Sequence, residues 1–259
     1  LIHPDIVEIV RFIADNGIKP VVLTNARALD EDMLLRLKEA GLAGFTIHID
    51  SHQERPGWKD KSEADLNELR QHFADMIDKV GGLYVIFNST VYPSTYNQIP
   101  DVVRWGHAHL DRVHGLVFIT YRTATTETSQ ALDSTKQQVD LSKLSYTRET
   151  FDEEFVTGPE VYQIIKDNFP EYEAVGYLGG TIKHDSFKWT AGAVIGSKHA
   201  LFGSVGKKTM ELAQTFHHLF MGTYLAYLSQ AQIGAKLFLL SPWDGTLRQA
   251  AGKWLRRIL

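Results

Sequence analysis

The sequence predicts an α/β fold in which a parallel sheet or barrel alternates with helices. Short β-branched runs alternate with amphipathic helical segments four times within residues 1–122. The repeat, about 25 to 40 residues long, is typical of right-handed βαβ units. Each predicted strand also ends in polar residues, as expected where parallel strands meet a ligand.

Capping residues and apolar spacing set the predicted elements of the first half. Pro4 suits a first helical turn, Gly17 suits a helix end, and Asp30 suits an N-cap. The run from Pro20 to Asn25 is apolar on both sides, which is typical of a buried parallel strand. The predicted helices cover residues 4–16, 30–40, 62–80 and 97–110, and the predicted strands cover 20–25, 45–50, 83–91 and 113–120.

The second half is predicted to be a polar loop followed by an α+β extension. Residues 123–150 are rich in Thr, Ser and Gln and mark the boundary, and residues 151–259 form the extension. Within the extension we predict a capping box that starts a helix from Thr157 to Asn168, a hairpin over 191–205, and helices over 208–229 and 246–259. The Tyr177–Thr181 segment is predicted to be a turn, with a pocket-lining role as the alternative.

Composition narrows the classes of partner and chemistry. The chain has 27 Lys and Arg residues against 31 Asp and Glu, so it lacks the basic surface that nucleic acid requires. We also predict no membrane partner, because no apolar run approaches the roughly 20 residues that span a bilayer. The sequence has no cysteine, which excludes disulfides, thiolate metal ligands and a cysteine nucleophile within it. The predicted compartment is the cytoplasm.

The polar strand ends predict one shared binding site. Carboxyl ends of parallel strands meet at the same edge of a sheet, so side chains from several strands reach one ligand there. The polar residues at the four strand ends are Thr24 and Asn25; His48, Asp50 and Ser51; Asn88, Ser89 and Thr90; and Tyr121 and Arg122.

The spacing at the second strand end allows a metal site. His48, Asp50 and His52 alternate along the chain and would share a face if the strand continued that far, and such a ligand set suits zinc or iron. The alternative is that Asp50 and Ser51 bond a substrate or cofactor.

Two further groups near the strand ends also leave alternatives open. Thr24 and Asn25 suit either ligand contact or turn chemistry. Arg55 and Lys61 could neutralise a carboxylate or phosphate, or simply face water.

Three short motifs follow one another in the first half of the chain. It starts with Leu1-Ile-His-Pro4, its first predicted strand runs into Thr24-Asn25-Ala26, and its second ends in Ile47 to Ser51. In this order they resemble a radical S-adenosylmethionine (radical SAM) enzyme that is cut just after its second barrel strand. Leu1 to Pro4 is similar to the helix start that follows the family's Gly-Gly-Glu-Pro motif, and the two strand ends take the places of its Thr-Asn-Gly and Ser-x-Asp-like endings. The resemblance covers residues 1–122 and implies a partial (βα)6 TIM-like barrel that lacks its first two strands.

The resemblance implies definite chemistry and partners. Such enzymes hold a [4Fe-4S] cluster on three cysteines, take an electron from an external donor, and cleave S-adenosylmethionine (SAM) to a 5′-deoxyadenosyl radical that acts on a small-molecule substrate. It assigns no catalytic side chain in this sequence. It implies that Tyr121 and Arg122 contact substrate, and that the cofactor is bound by Thr24, Asn25, Asp50, Ser51, Arg55, Lys61, Asn88 and Ser89.

The sequence departs from the family in lacking both the Cys-x-x-x-Cys-x-x-Cys loop and Gly-Gly-Glu-Pro. We therefore expect a fragment of a longer radical SAM oxidoreductase or transferase, inactive alone, with its cluster ligands upstream and the strand at 20–25 left as an exposed edge. The alternatives are a metal-dependent TIM-barrel hydrolase that uses His48, Asp50 and His52, and a non-catalytic binding barrel.

Overall fold

The computed structural model describes residues 1–121, 156–179, 187–222 and 230–258. In these ranges the strands are β1 Val21–Thr24, β2 Gly44–His48, β3 Tyr84–Val91, β4 Gly115–Thr120, β5 Gly176–Gly179, β6 Phe187–Ala191, β7 Val194–Ser197 and β8 Ala200–Ser204. The helices are α1 Ile6–Asp15, α2 Glu31–Glu39, α3 Asn67–Val80, α4 Ile99–Ala108, α5 Gly158–Asn168, α6 Lys207–Met221, α7 Gln230–Leu240 and α8 Gly245–Ile258.

The first four strands form one parallel sheet in the order β1-β2-β3-β4, with a helix between each pair. Neighbours in the sheet are neighbours in the chain, and every pairing is parallel. The predicted α/β class, with a parallel sheet that alternates with helices, is therefore confirmed.

One face of the sheet carries the hydrophobic core. Phe45 and Ile47 of β2 and Phe87 of β3 are buried in one cluster with side chains of α1, α2 and α3. Trp105 of α4 meets Phe87 edge to face, with ring centroids 5.5 Å apart. The first four helices thus cover the same face, which we call the helix face, and the opposite one is called the open face.

At one edge of the sheet lies β1. Among the described strands it pairs only with β2. Its open-face side chains Val21 and Leu23 are exposed, Leu23 at 69%. The prediction that this strand is an exposed edge is confirmed for the described residues.

Several predicted boundaries shift for local reasons. Helix α3 begins at Asn67 rather than residue 62. Ser62 and Asp65 form the reciprocal bonds of a capping box, but the N–H groups of Asn67 and Glu68 then donate to carbonyls three residues back rather than four, so the intervening turn is not α-helical. The helix predicted over 208–229 ends at Met221, followed by Gly222 at φ 66°. The polar loop predicted over 123–150 lies outside the described residues.

The extension contains two antiparallel hairpins and four helices within the described ranges. Thr157 and Glu160 form the predicted capping box at the start of α5, and β7 pairs with β8 as the predicted hairpin. Of the Tyr177–Thr181 segment that was predicted to turn, the described residues 177–179 instead belong to β5, which pairs with β6. Helix α7 was not predicted, since its apolar residues show no helical spacing. None of the helices described is long and apolar enough to cross a membrane.

A fully buried guanidinium connects the sheet to α3. Arg70 is 0% exposed and donates to the Glu63 carboxylate at 2.6 Å. It also donates to the Ile49 carbonyl after β2, at 3.0 Å, and to the Ser89 hydroxyl of β3, at 2.9 Å. Burial lowers the pKa of Arg70 from its ordinary value, and the Glu63 carboxylate opposes that shift. Because an arginine pKa is so high, the side chain stays charged and needs these partners.

Replacing Arg70 tests how much this connection stabilises the fold. Arg70→Met should cost about 3–5 kcal/mol in the free energy of unfolding, because it leaves the Glu63 carboxylate buried without its partner. Urea denaturation measures the loss. Arg104→Met, which breaks the exposed pair with Asp101, is the matched control and should cost less than about 1 kcal/mol. Equal losses in the two variants would contradict this account.

Asp244 caps α8 and ties it to α6. Its carboxylate accepts from the backbone N–H groups of Thr246 and Leu247 and from the Thr209 hydroxyl. Burial raises its pKa, but these hydrogen bonds outweigh burial and lower the pKa to about 2.

Removing the cap should destabilise the chain in a pH-dependent way. Asp244→Ala should cost about 1–2 kcal/mol at neutral pH, since it removes the N-cap acceptor. Because the folded-state pKa is depressed, the stabilisation is complete above about pH 4 and is lost as the pH falls toward that pKa. Urea midpoints of both proteins at several pH values measure this, and a pH-independent difference would refute the assignment.

Candidate functional site

The carboxyl end of the open face carries three successive rows of side chains. Parallel register places His48 beside Asn88, and Thr90 beside Ile119. Alternate residues along a strand share a face, so the first row is His48, Asn88 and Val117, and the second is Asp50, Thr90 and Ile119. After Asp50 the chain enters a 3-10 turn, and ring contacts rather than strand alternation define the third row: His52 with Tyr92, and Tyr92 with Tyr121.

The second row contains a buried carboxylate held by a histidine. Nε2 of His48 lies 2.6 Å from Oδ2 of Asp50 and 3.2 Å from the Thr90 hydroxyl oxygen. The other oxygen of Asp50 accepts from the backbone N–H of His52 at 3.1 Å. Burial raises the pKa of Asp50, but the hydrogen bonds from His48 and Thr90 prevail and the pKa lies below its ordinary value. Asp50 is therefore an ionised acceptor at neutral pH, beneath the strand ends.

An amide with unused hydrogen-bonding capacity lies beside this pair. Asn88 is only 7% exposed, and its Oδ1 has no hydrogen-bond partner among the described residues. A buried amide oxygen without a partner costs about 1–3 kcal/mol, so a hydrogen-bond donor brought to this oxygen would stabilise it.

Three aromatic rings follow the strands that carry these polar groups. The His52 ring stacks on Tyr92 with centroids 3.7 Å apart, and Tyr92 lies 4.8 Å from Tyr121. The rings come from the segments that follow β2, β3 and β4, so they continue across three neighbouring strand ends. Flat rings beside polar groups suit a planar ligand.

Arg55 is used to hold the strand ends together. Its Nη2 donates to the carbonyl oxygens of Asn25 and His48, both at 2.6 Å, and its Nε donates to Gln53 at 2.8 Å. Burial lowers the pKa of this guanidinium from its ordinary value. The side chain thus ties the end of β1 to the end of β2, and the ligand contact that the resemblance implies for Arg55 stays a prediction.

Thr24 and Asn25 make the turn contacts that were the alternative reading of the sequence. The Thr24 hydroxyl accepts from the N–H of Ala26, and the Asn25 side chain accepts from Arg27. Ala26 has φ 55°, a left-handed conformation that favours glycine. The position where the radical SAM family has glycine therefore has the backbone geometry that glycine suits best.

The remaining predicted residues lie apart from the open face. Ser89 lies on the helix face, where its hydroxyl donates to the Ile49 carbonyl. The structure therefore does not bring it to the open face, where Asn88 lies. Ser51 begins a short 3-10 turn, and its N–H donates to Glu63. Lys61 is exposed in the loop before α3. Arg122, predicted to contact substrate, lies outside the described residues.

The alternative metal site is not formed. His48 and Asp50 bond each other, whereas His52 turns away to stack on Tyr92, because the chain leaves the strand for a 3-10 turn at Ser51. In the ranges that the structure describes, no group of three or more His, Cys, Asp or Glu side chains could hold a metal ion.

Sequence reasoning missed three residues that shape this edge. Arg70 lies in the apolar stripe of α3 between Leu69 and Phe73. A charged residue within such a stripe is the signal from which its buried position could have been predicted. Its partner Glu63 had no comparable signal. Tyr92 continues the open-face alternation of β3 by two residues beyond Thr90, so strand periodicity could have found it.

The hydrogen bond from His48 to Asp50 can be tested by titration. His48→Ala should raise the pKa of the Asp50 carboxyl, because burial remains while the largest favourable hydrogen bond is lost. Carboxyl-carbon NMR over a pH series measures the change. The exposed carboxyl of Asp65 is the internal control and should titrate as before. An unchanged or lowered pKa at Asp50 would contradict the geometry.

Comparison with known proteins identifies no family for this chain. No protein-family model matches it, and no curated protein matches it significantly.

Proposed function

We propose that the chain is the SAM-binding part of a radical SAM enzyme with a (βα)6 TIM-like barrel, and that the cofactor lies at the carboxyl end of the open face. The observation that carries the proposal is the buried amide oxygen of Asn88, which has no hydrogen-bond partner in the described part of the chain and lies among the polar and aromatic strand ends. The consecutive strand order and the one-sided helices are those of βα units that build a barrel, and they support this reading.

The residues of this edge fit SAM in chemical type. The Asn88 amide oxygen can accept a hydrogen bond from the adenine amino group or a ribose hydroxyl, and the rings of Tyr92 and Tyr121 can stack with adenine. The Asp50 carboxylate is ionised and suits the cationic amino group or a ribose hydroxyl. We assign these residues binding and orientation.

The iron–sulfur cluster does not fit this chain. The sequence has no cysteine, so none of its residues can supply a thiolate ligand. In radical SAM enzymes the cluster and SAM together supply the radical chemistry. We therefore derive no step through the cluster, and the proposal requires ligands outside this sequence.

SAM binding tests the site. Isothermal titration of the chain with SAM or S-adenosylhomocysteine should show saturable binding, which Asn88→Ala weakens about tenfold or more through loss of one buried hydrogen bond. Asn16→Ala is the matched control and should leave the affinity for SAM unchanged, because Asn16 precedes β1 and so lies toward the amino ends of the strands.

Three outcomes would overturn the proposal at different points. If neither this chain nor the cluster-reconstituted whole protein binds SAM, the site assignment is wrong and a non-catalytic binding fold is favoured. If the chain binds SAM but the gene encodes no Cys-x-x-x-Cys-x-x-Cys motif upstream, the SAM site is correct and the assignment to radical SAM enzymes is wrong. Tight stoichiometric zinc that His48→Ala abolishes would instead favour the hydrolase.

A further inference from the structure

Helices α6 and α7 leave an apolar, aromatic surface open to solvent. We define this surface by Phe216, Leu219, Phe220, Met221, Leu239 and Trp243, all of them exposed. Phe220 is 73% exposed and Trp243 is 77% exposed. Phe216 and Phe220 lie one turn apart on α6 with their rings stacked, at a centroid distance of 6.0 Å. Exposed apolar side chains grouped in this way mark a site of interaction with a partner or a membrane.

The sequence of α7 also indicates that this region has an apolar environment. Apolar residues occur all around it, and Lys236, its one charged residue, points to His217 of α6 at 2.6 Å. A helix that is apolar on every side is normally buried in a core or a membrane. Here Phe238 and Leu239 are nevertheless exposed, so an apolar environment that covers them would stabilise the helix.

The charge around this surface is positive. From Val205 to the end of the sequence there are seven Lys and Arg residues against two carboxylates, whereas the whole chain has more carboxylates than cations. The segment from Leu212 to Trp243 contains no Asp or Glu at all. Exposed cations flank it on α6 and α8: Lys207, Lys208, Lys253, Arg256 and Arg257.

We propose that this surface docks on an anionic phospholipid bilayer, with the rings of Phe216, Phe220 and Trp243 in the headgroup–acyl boundary and the flanking cations on the lipid phosphates. The combination of Trp, Phe and Leu on one side with Lys and Arg around them is that of interfacial helices. Helix α7 has 11 residues. That length gives about 16 Å, well short of the roughly 30 Å hydrocarbon core, so the helix lies in the interface rather than across the bilayer.

A second copy of the chain is the less favourable occupant. A symmetric dimer through this surface would bring together two copies of a segment with seven cations and two carboxylates, and like charges across an interface are repulsive. An anionic bilayer attracts those cations at about 1 kcal/mol each near its surface. The proposal revises the expectation that the chain has no membrane partner, which rested only on the lack of a spanning run.

Vesicle co-sedimentation tests the proposal with the whole chain. Phosphatidylcholine vesicles with about a quarter phosphatidylglycerol should bind the chain, and neutral phosphatidylcholine vesicles should bind it at least about tenfold less. Raising the salt from about 0.1 M to about 1 M should weaken binding, because the Debye length shrinks from about 10 Å to about 3 Å.

Matched variants locate the surface. The double variant Phe216→Ser, Phe220→Ser should lose about tenfold or more in affinity for anionic vesicles, because its rings no longer enter the lipid. Phe12→Ser, which removes a ring that is 71% exposed on α1, should leave affinity unchanged. Arg256→Glu with Arg257→Glu should weaken binding, and Arg11→Glu with Lys59→Glu should not.

Three results would overturn the proposal. The first is no preference for anionic vesicles, and the second is an equal loss in the Phe12→Ser control. The third is a concentration-dependent dimer, detected by light scattering, that the Phe216→Ser, Phe220→Ser variant abolishes while vesicles remain unbound. That result would assign the surface to self-association.

Discussion

The candidate site depends on the charge buried beneath it. Arg70 links α3 to the segment before it through Glu63, to the end of β2 through Ile49, and to β3 through Ser89. Burying a guanidinium is costly, and its Nε has no partner among the described residues, so the stabilisation rests on these contacts. Ile49 and Ser89 are the immediate neighbours of Asp50 and Asn88. One cation on the helix face therefore fixes where the polar groups of the open face lie.

The two faces of the sheet thus have different roles. The helix face holds the core and the Arg70 network, while the open face carries an ionised carboxylate, three rings and an amide oxygen that has no hydrogen-bond partner among the described residues. Arg55 makes a second connection, because it donates to the Asn25 carbonyl just after β1 and to the His48 carbonyl at the end of β2. Rigid elements thereby position the polar groups of the open face, and such preorganisation lowers the free-energy cost of binding a ligand.

Much of the sheet could be predicted from the sequence, because buried β-branched runs and capping residues are local signals. The alternation of side chains along β3 could also have shown that Asn88 and Ser89 face opposite sides of the sheet. The role of Arg55 could not be predicted, since it depends on a loop that reverses through Glu54 at φ 43°. Helix α7 escaped prediction for a related reason, because an apolar segment without periodicity identifies neither a helix nor the medium around it.

The alternation along β3 makes the site sensitive to the length of the chain before it. Inserting or deleting one residue between Gly82 and Asn88 would turn the serine to the open face and force the amide toward Arg70. A point substitution at Asn88 alters one contact. Such a slip instead exchanges all the later side chains of β3 between the open face and the helix face. Among natural variants of this chain, length changes should accordingly gather in the loops between the parallel strands, and β3 itself should keep its count of residues.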